Sequence, residues 1–272
     1  MRCEVCFRHC DLKEGQLGFC KARICREGKI VADNYGYITS IGLDPIEKKP
    51  LYEFHPGSYI LSLGSYGCNL ACPFCQNYEI SQYRLKKEAN YYSPEDIISQ
   101  ALYLKERYGN IGLAFTYNEA LVGYEYVLDC AKLAHEHGLL NVLVTNGCAS
   151  LEVLHKILPY IDAMNIDLKG FDEKYFSYIG SSLSMTKEFI KEAYQHCHVE
   201  LTTLVVTLRN DDLSVFEEEC KWIASLDDMI PLHLSRYFPR YKEKSPATPM
   251  KTLLGMEKIA KKYLKSVYLG NV

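Results

Sequence analysis

From residue 58 onward, short apolar runs alternate with amphipathic stretches, and this alternation limits the fold more than any other feature of the chain. The runs at 59–63, 111–115, 141–145, 163–167, 199–205 and 232–234 are too short for helices and read as buried strands. Between the first two, Ser93-Pro94-Glu95-Asp96 opens a helix: an N-cap serine, a proline at the first helical position, then two carboxylates at the positive end of the helix dipole. That helix should end near Gly109. Further helices are expected at 120–137, stopped by Gly138, and around 150–158, 186–196 and 213–225, with a last one leading into a strand at 267–269. Strand–helix repeats of this kind build parallel sheets with right-handed crossovers. Six or seven such units predict an α/β fold, with a full or partial (β/α) barrel favoured over an open doubly wound sheet. In either case the reacting groups belong just after the strands.

Residues 1–57 lack this rhythm and are expected to form a small cysteine-rich N-terminal appendage, with 58–272 as the barrel domain. A chain of 272 residues that is 48% hydrophobic can bury a full core, which excludes disorder. Its 31 Lys and Arg against 34 Asp and Glu leave a net charge of -3, the wrong balance for a partner rich in phosphate, so no nucleic-acid partner is expected. No run of 18 apolar residues occurs, and Met1-Arg2-Cys3-Glu4-Val5-Cys6 lacks the apolar stretch of a secretion signal. A soluble, cytoplasmic protein without a membrane partner is the expectation. In such a protein twelve cysteines point to metal or redox chemistry rather than to disulfides.

The strongest chemical signal is Cys68-Asn69-Leu70-Ala71-Cys72-Pro73-Phe74-Cys75, directly after the first strand. A zinc knuckle needs four closed ligands, and no Cys or His follows Cys75 closely enough to supply the fourth. Three thiolates on a tight loop instead suit a four-iron cluster with one iron left open to chelate a small molecule.

The spacing C-x3-C-x2-C with Phe74 before the last cysteine resembles the radical S-adenosylmethionine (SAM) enzymes. The AmmeMemoRadiSam branch of that superfamily, itself similar to pyruvate formate-lyase activating enzymes, also resembles this chain at Thr116-Tyr117-Asn118-Glu119, Val144-Thr145-Asn146-Gly147, Asn165-Ile166-Asp167-Leu168-Lys169-Gly170 and His233-Leu234-Ser235-Arg236-Tyr237-Phe238-Pro239. The resemblance implies a partial (β/α)6 TIM-type barrel. It further implies a [4Fe-4S] cluster on Cys68, Cys72 and Cys75 that reductively cleaves SAM to a 5'-deoxyadenosyl radical, which abstracts hydrogen from a substrate. Phe74 would flank the adenine; Tyr117, Asn118 and Glu119 would orient the methionyl amino group; Asn146, Asp167, Lys169 and His233 would complete the SAM contacts. Flavodoxin or ferredoxin is the implied reductant. Independently of the resemblance, Asp167 and Lys169 lie two apart on a strand and so share a face, and an acceptor beside a cation suits the ammonium and carboxylate of SAM.

Two alternatives stay open at this point. One is an activase of a glycyl-radical enzyme; Val144 and Gln76 stand where activases carry aspartate and histidine. The other is a non-catalytic iron–sulfur electron carrier, which needs no open iron. At the N-terminus, Cys3-x2-Cys6-x3-Cys10-x9-Cys20 offers four thiolates to a structural zinc or to a second iron–sulfur cluster, with Cys25 and His9 as spare ligands. Cys130, Cys148, Cys197 and Cys220 read as small buried hydrophobes. Lys48-Lys49 with Arg236 and Arg240 read as a solvated basic face.

Overall fold

The structure, a computed structural model, describes all 272 residues. One sheet of eight strands organises it: β1 (Ser40–Pro45), β2 (Tyr59–Gly64), β3 (Asn110–Phe115), β4 (Leu140–Thr145), β5 (Ala163–Asp167), β6 (His198–Val205), β7 (Leu232–Arg236) and β8 (Val267–Gly270). The strands lie side by side in chain order. All neighbours from β2 to β8 pair in parallel, and β1 alone runs antiparallel, Ser40 opposite Gly64 and Pro45 opposite Tyr59. A sheet wound in one direction without an order reversal curls into a barrel rather than a doubly wound layer. Because β1 and β8 end the order without pairing to each other, the barrel is partial, as expected.

Seven helices cover the outside: α1 (Pro94–Tyr108), α2 (Tyr124–Glu136), α3 (Leu151–Ile157), α4 (Glu173–Ile179), α5 (Leu183–Tyr194), α6 (Leu213–Leu226) and α7 (Met250–Ala260). The start of α1 follows from its sequence. Ser93 Oγ accepts from the Asp96 amide while Asp96 accepts from the Ser93 amide, and Gly109 closes the helix at φ 68°. Ile97, Ile98 and Ala101 then face the sheet, each buried isoleucine contributing ~1.5–3 kcal/mol. The expected helix at 120–137 divides: Ala120–Gly123 is a 3-10 turn, and α2 begins at Tyr124. The short α4 had no sequence expectation.

One acid lies inside the helix–sheet layer. Glu219 of α6 is 1% exposed and meets only the Thr203 hydroxyl on β6, at 2.6 Å. The same hydroxyl lies 2.7 Å from the Leu168 carbonyl. Thr203 has one proton to give; if it serves Leu168, the proton in the contact with Glu219 must come from the acid. Burial accordingly pushes the Glu219 carboxyl up from 4.5 to about 8.

The base of the barrel is closed from within. Ile46 and Leu51 pack with Ile60, Ala114, Val142 and Ala163 of β2–β5. The Asn165 amide donates to Pro50 O, and Glu200 of β6, fully buried, accepts the amides of Tyr52 and Glu53 and the ring nitrogens of His198 and His233. Burial alone would raise the Glu200 carboxyl, but these four donors hold it at about 2. The division expected at residue 57 therefore does not coincide with the edge of the sheet. Residues 40–45 supply β1, and 46–54 plug the bore; only 1–39 lie outside it.

That outer segment is tied to the barrel by buried polar groups. Its ribbon, Arg23–Arg26 against Lys29–Ala32, leads to Asp33, whose fully buried side chain accepts from the Tyr66 hydroxyl, Arg84 and Lys86. Burial opposes the charge, yet these donors hold Asp33 down at about 2. No helix of the chain is long and apolar enough to cross a membrane.

Candidate active site

The C-terminal ends of the strands surround a cavity of about 460 Å³. The loop after β2 contributes Cys68, Cys72, Phe74 and Cys75; the loop after β3 contributes Thr116, Tyr117, Asn118 and Glu119. Val144, Thr145 and Asn146 reach it from β4, Asp167 and Lys169 from β5, Thr202 and Leu204 from β6, and Ser235 from β7. No other cysteine and no histidine lines it. Cys148, close by in sequence to Asn146, turns instead to the hydroxyls of Ser181 and Thr186.

The cysteine loop is shaped by Gly67, at φ 92°. A Cβ there would stand 2.4 Å from the Cys20 carbonyl oxygen, so only glycine fits. Cys68 N donates to that same oxygen at 3.1 Å, and Arg8 donates to Asn69 O and Gly180 O. Burial drives both Cys68 and Cys72 upward as thiols, Cys72 to about 12. Thiols that resist ionisation alone, as these two do, become good donors when a metal supplies the positive charge. The Tyr175 hydroxyl, beside Cys72 and Lys169, is buried without a partner, and its ring lies parallel to Phe74 at 6.4 Å. The donor set, the orphaned phenol and the room in front of them fit a metal cluster with a bound organic ligand.

The loop after β3 is held by its own side chains. Asn118 accepts from Ser65 N and donates to Gly67 O, stitching the β2 and β3 loops together. Tyr117 sits at φ 71°, donates its hydroxyl to Asp44 and packs over Gly64. Glu119, 2% exposed, accepts from Thr145 Oγ1, Asn146 N and Leu121 N. Burial raises its carboxyl to about 7, against the pull of these donors. It is a clamp on the β4 loop. Asn146, so held, donates to Asn69 Oδ1 at 2.8 Å and stands 3.7 Å from Cys68 Sγ.

Lys169 Nζ lies 2.7 Å from Asp167 Oδ2. Burial works against the ammonium, but Asp167 and the Cys72 sulfur outweigh it and keep it protonated. The pair thus faces the cavity as the two-residue spacing requires.

His233 does not line the cavity. Its ring is turned down to Glu200, 2.6 Å away, and packed between Tyr52 and Tyr268; Ser235, one strand repeat further, takes the cavity position on β7. Lys49 departs from expectation in the other direction. Rather than being solvated, it is 2% exposed, bonded to Asp44 at 2.9 Å, and it lines the cavity with Lys48. A lysine pair beside a proline reads as surface; only the inward plug at 46–54 reverses that reading. Cys130, Cys148 and Cys220 are fully buried, as small hydrophobes are.

Cys3, Cys6, Cys10 and Cys20 gather around a separate, small cavity behind the cysteine loop. The spare ligands are elsewhere: Cys25 faces Glu14, and His9 pairs with Glu4. In neither cysteine group are three sulfurs closed onto one metal-bonding point.

A family model described as the Radical SAM superfamily matches residues 63–223. An uncharacterized protein of Methanocaldococcus jannaschii is 40% identical over 100% of this chain and 81% of its own length. A second protein of that organism, named as a glycyl-radical enzyme activating enzyme, is 26% identical over 76% of this chain and 79% of its own. Among solved structures, a domain of a pyruvate-formate lyase-activating enzyme from Bacteroides vulgatus superposes with a TM-score of 0.53 at 17% identity, over 59% of this chain and 99% of that domain. A radical SAM methyltransferase from Sphaerobacter thermophilus gives 0.60 at 13%, over 79% and 67%. At these identities the two structures speak for the fold.

Proposed function

The chain belongs to the radical SAM superfamily, and from that premise we propose that it is an enzyme that cleaves SAM reductively and abstracts a hydrogen atom from a further substrate. The observation that carries this reading is the cavity itself: three cysteines, no fourth Cys or His, and about 460 Å³ of space opposite an acceptor–cation pair. An electron carrier needs no such space.

Cys68, Cys72 and Cys75 would hold a [4Fe-4S] cluster. When bound, the cluster would supply one electron and an iron free to take a ligand, the chemistry that reductive cleavage of SAM needs. The chain's own residues bind and orient. Lys169 offers a permanent cation to the methionyl carboxylate, and Asp167 an acceptor to the ammonium. Phe74 offers an apolar face to the adenine. Tyr117 and Asn118 fix the backbone beside the methionyl group, and Glu119 acts as a positioning residue by fixing the Asn146 amide. Such chemistry requires an external one-electron donor of the flavodoxin or ferredoxin type.

A second reading, activation of a glycyl-radical enzyme, is favoured by the similarity to the M. jannaschii protein so named. It differs only in the substrate, a glycine of a partner protein.

Reduced, iron-reconstituted protein given SAM should release 5'-deoxyadenosine, and Cys72→Ala should release none. An intact, reduced cluster that leaves SAM whole with every candidate substrate would end this proposal. Deuterium passing into 5'-deoxyadenosine from a labelled glycine of a partner protein, rather than from a small molecule, would select the second reading.

A further inference from the structure

Cys3 and Cys10 are set side by side by the Cys3 N to Cys10 O hydrogen bond at 2.9 Å, and Cys6 sits at the turn between them, where His9 N returns to Cys6 O. Cys20 arrives from the next loop, and the four sulfur-bearing residues line one cavity. Its solvent-sized space is only about 10 Å³, the room one water or one ion takes, against about 460 Å³ in front of the other cysteine group. That space has room for one ion and none for a four-iron cube, and because no three of the sulfurs yet meet at one bonding point, an entering ion must draw their side chains together.

Two arginines line the same cavity. Arg23 is 4% exposed, and its Nε is buried with no partner. A guanidinium N–H left over beside four sulfurs is the donor that a thiolate accepts. Arg8 spends its hydrogen bonds on two neutral carbonyls, of Asn69 and Gly180, so no carboxylate neutralises its charge. Four thiolates around a divalent ion carry a net double negative charge; Arg8 is placed to offset it, while Arg23, whose Nη1 is already paired with Glu125 at 2.6 Å, adds only its unpartnered Nε–H.

We infer that Cys3, Cys6, Cys10 and Cys20 form a four-thiolate site for one thiophilic divalent ion of the zinc class, and that the filled site braces the loop that carries Cys68. The brace is visible in the bonds. Cys20 O receives the Cys68 amide, Arg8 reaches Asn69, and Val5 O receives the amide of Ser150, just beyond the Asn146 loop. Fixing Cys20 in a metal site therefore fixes one wall of the larger cavity. Filling the site releases the thiol protons and changes no oxidation state.

The test uses the full chain and reads metal rather than SAM cleavage, so its failure is distinct from failure of the radical SAM reading. Cys72→Ala protein, stripped by chelator and titrated with Co(II), should bind about one equivalent with the intense visible bands of tetrahedral thiolate coordination, displaced by zinc. The double variant Cys6→Ser/Cys72→Ala should lose those bands. Wild-type protein purified anaerobically should hold about one zinc and about four irons per chain. Bands that survive Cys6→Ser, or about eight irons with no zinc, would overturn the assignment. Should the double variant not fold, zinc-edge X-ray absorption on the wild-type chain decides between four sulfur ligands and any mixed shell. Hydrogen exchange at the Cys68 amide should quicken at least several-fold when the ion is removed; an unchanged rate would overturn the brace.

Discussion

Glu219→Gln should remove a pH dependence of stability and so reverse the order of variant and wild type between pH 5 and pH 8. In the wild type the carboxyl titrates near 4.5 when unfolded and at about 8 when folded, because burial opposes its charge. The folded chain therefore holds the proton more tightly than the unfolded chain. Its contribution is complete below pH 4.5, declines as pH rises, and is exhausted above about pH 8. At ~1.4 kcal/mol per pH unit, the interval sets a ceiling of ~5 kcal/mol. That ceiling already includes the hydrogen bond by which Thr203 favours the ionised acid. Glutamine keeps a donor toward Thr203 but leaves its second N–H unpaired, costing ~1–3 kcal/mol at all pH values. The variant should thus melt below the wild type at pH 5 and above it at pH 8. With ~2–4 °C per kcal/mol for a chain somewhat smaller than this one, the difference in Tm should swing by roughly 10 °C across that range. Anaerobic circular-dichroism melts of both proteins at matched pH would show it. Two melting curves that stay parallel from pH 5 to pH 8 would mean that Glu219 is ionised in the fold and that the hydrogen-bond arithmetic around Thr203 is wrong.

Three further outcomes follow from the same geometry. Gly67→Ala places a methyl 2.4 Å from the Cys20 carbonyl in a left-handed conformation; it should cost ~2–4 kcal/mol and lower iron retention, checked by melting and iron assay, and a variant as stable as wild type would refute the close approach. Asp33→Asn leaves the partly exposed Arg84 and Lys86 facing an amide, so denaturant midpoints at neutral pH should drop by an amount worth ~2.5 kcal/mol; because Asp33 is held at about 2, the wild type should keep this margin down to about pH 4 and lose it between pH 4 and pH 2, while the variant shows no such acid loss. Lys169→Met removes the cation paired with Asp167 at nearly constant length; the apparent KM for SAM should rise at least tenfold in the 5'-deoxyadenosine assay, with cluster absorbance unchanged.

How much of this was legible beforehand depended on whether a signal was local. Parallel strands buried on both faces appear as unbroken apolar runs, so β2 to β7 could be placed within a few residues, and the capped start of α1 was explicit in Ser93-Pro94-Glu95-Asp96. The strand β1 was not legible. Its sequence, Ser40-Ile41-Gly42-Leu43-Asp44-Pro45, contains Gly, Asp and Pro, which an antiparallel edge tolerates and a central strand does not. Cavity residues brought by their own motif, Cys68 to Cys75 and Asp167 with Lys169, lay where strand order predicted. His233 and Lys49 did not, for one reason: each is claimed by a carboxylate on another turn of the fold, Glu200 on the neighbouring strand or Asp44 before the plug, and pairings of that kind leave no periodic trace in a sequence.

The seam between Ser40–Pro45 and Val267–Gly270 has a mechanical consequence. A closed hoop of strands resists dilation because widening it must break hydrogen bonds everywhere along one ladder, whereas an arc gives way by small rotations of its outer staves. Here the plug holds both staves at the foot: it continues directly from the first, and its Tyr52 and Glu53 meet Tyr268 of the other. Any widening to take a larger molecule would accordingly come above that plug, at the upper ends of the two flanks.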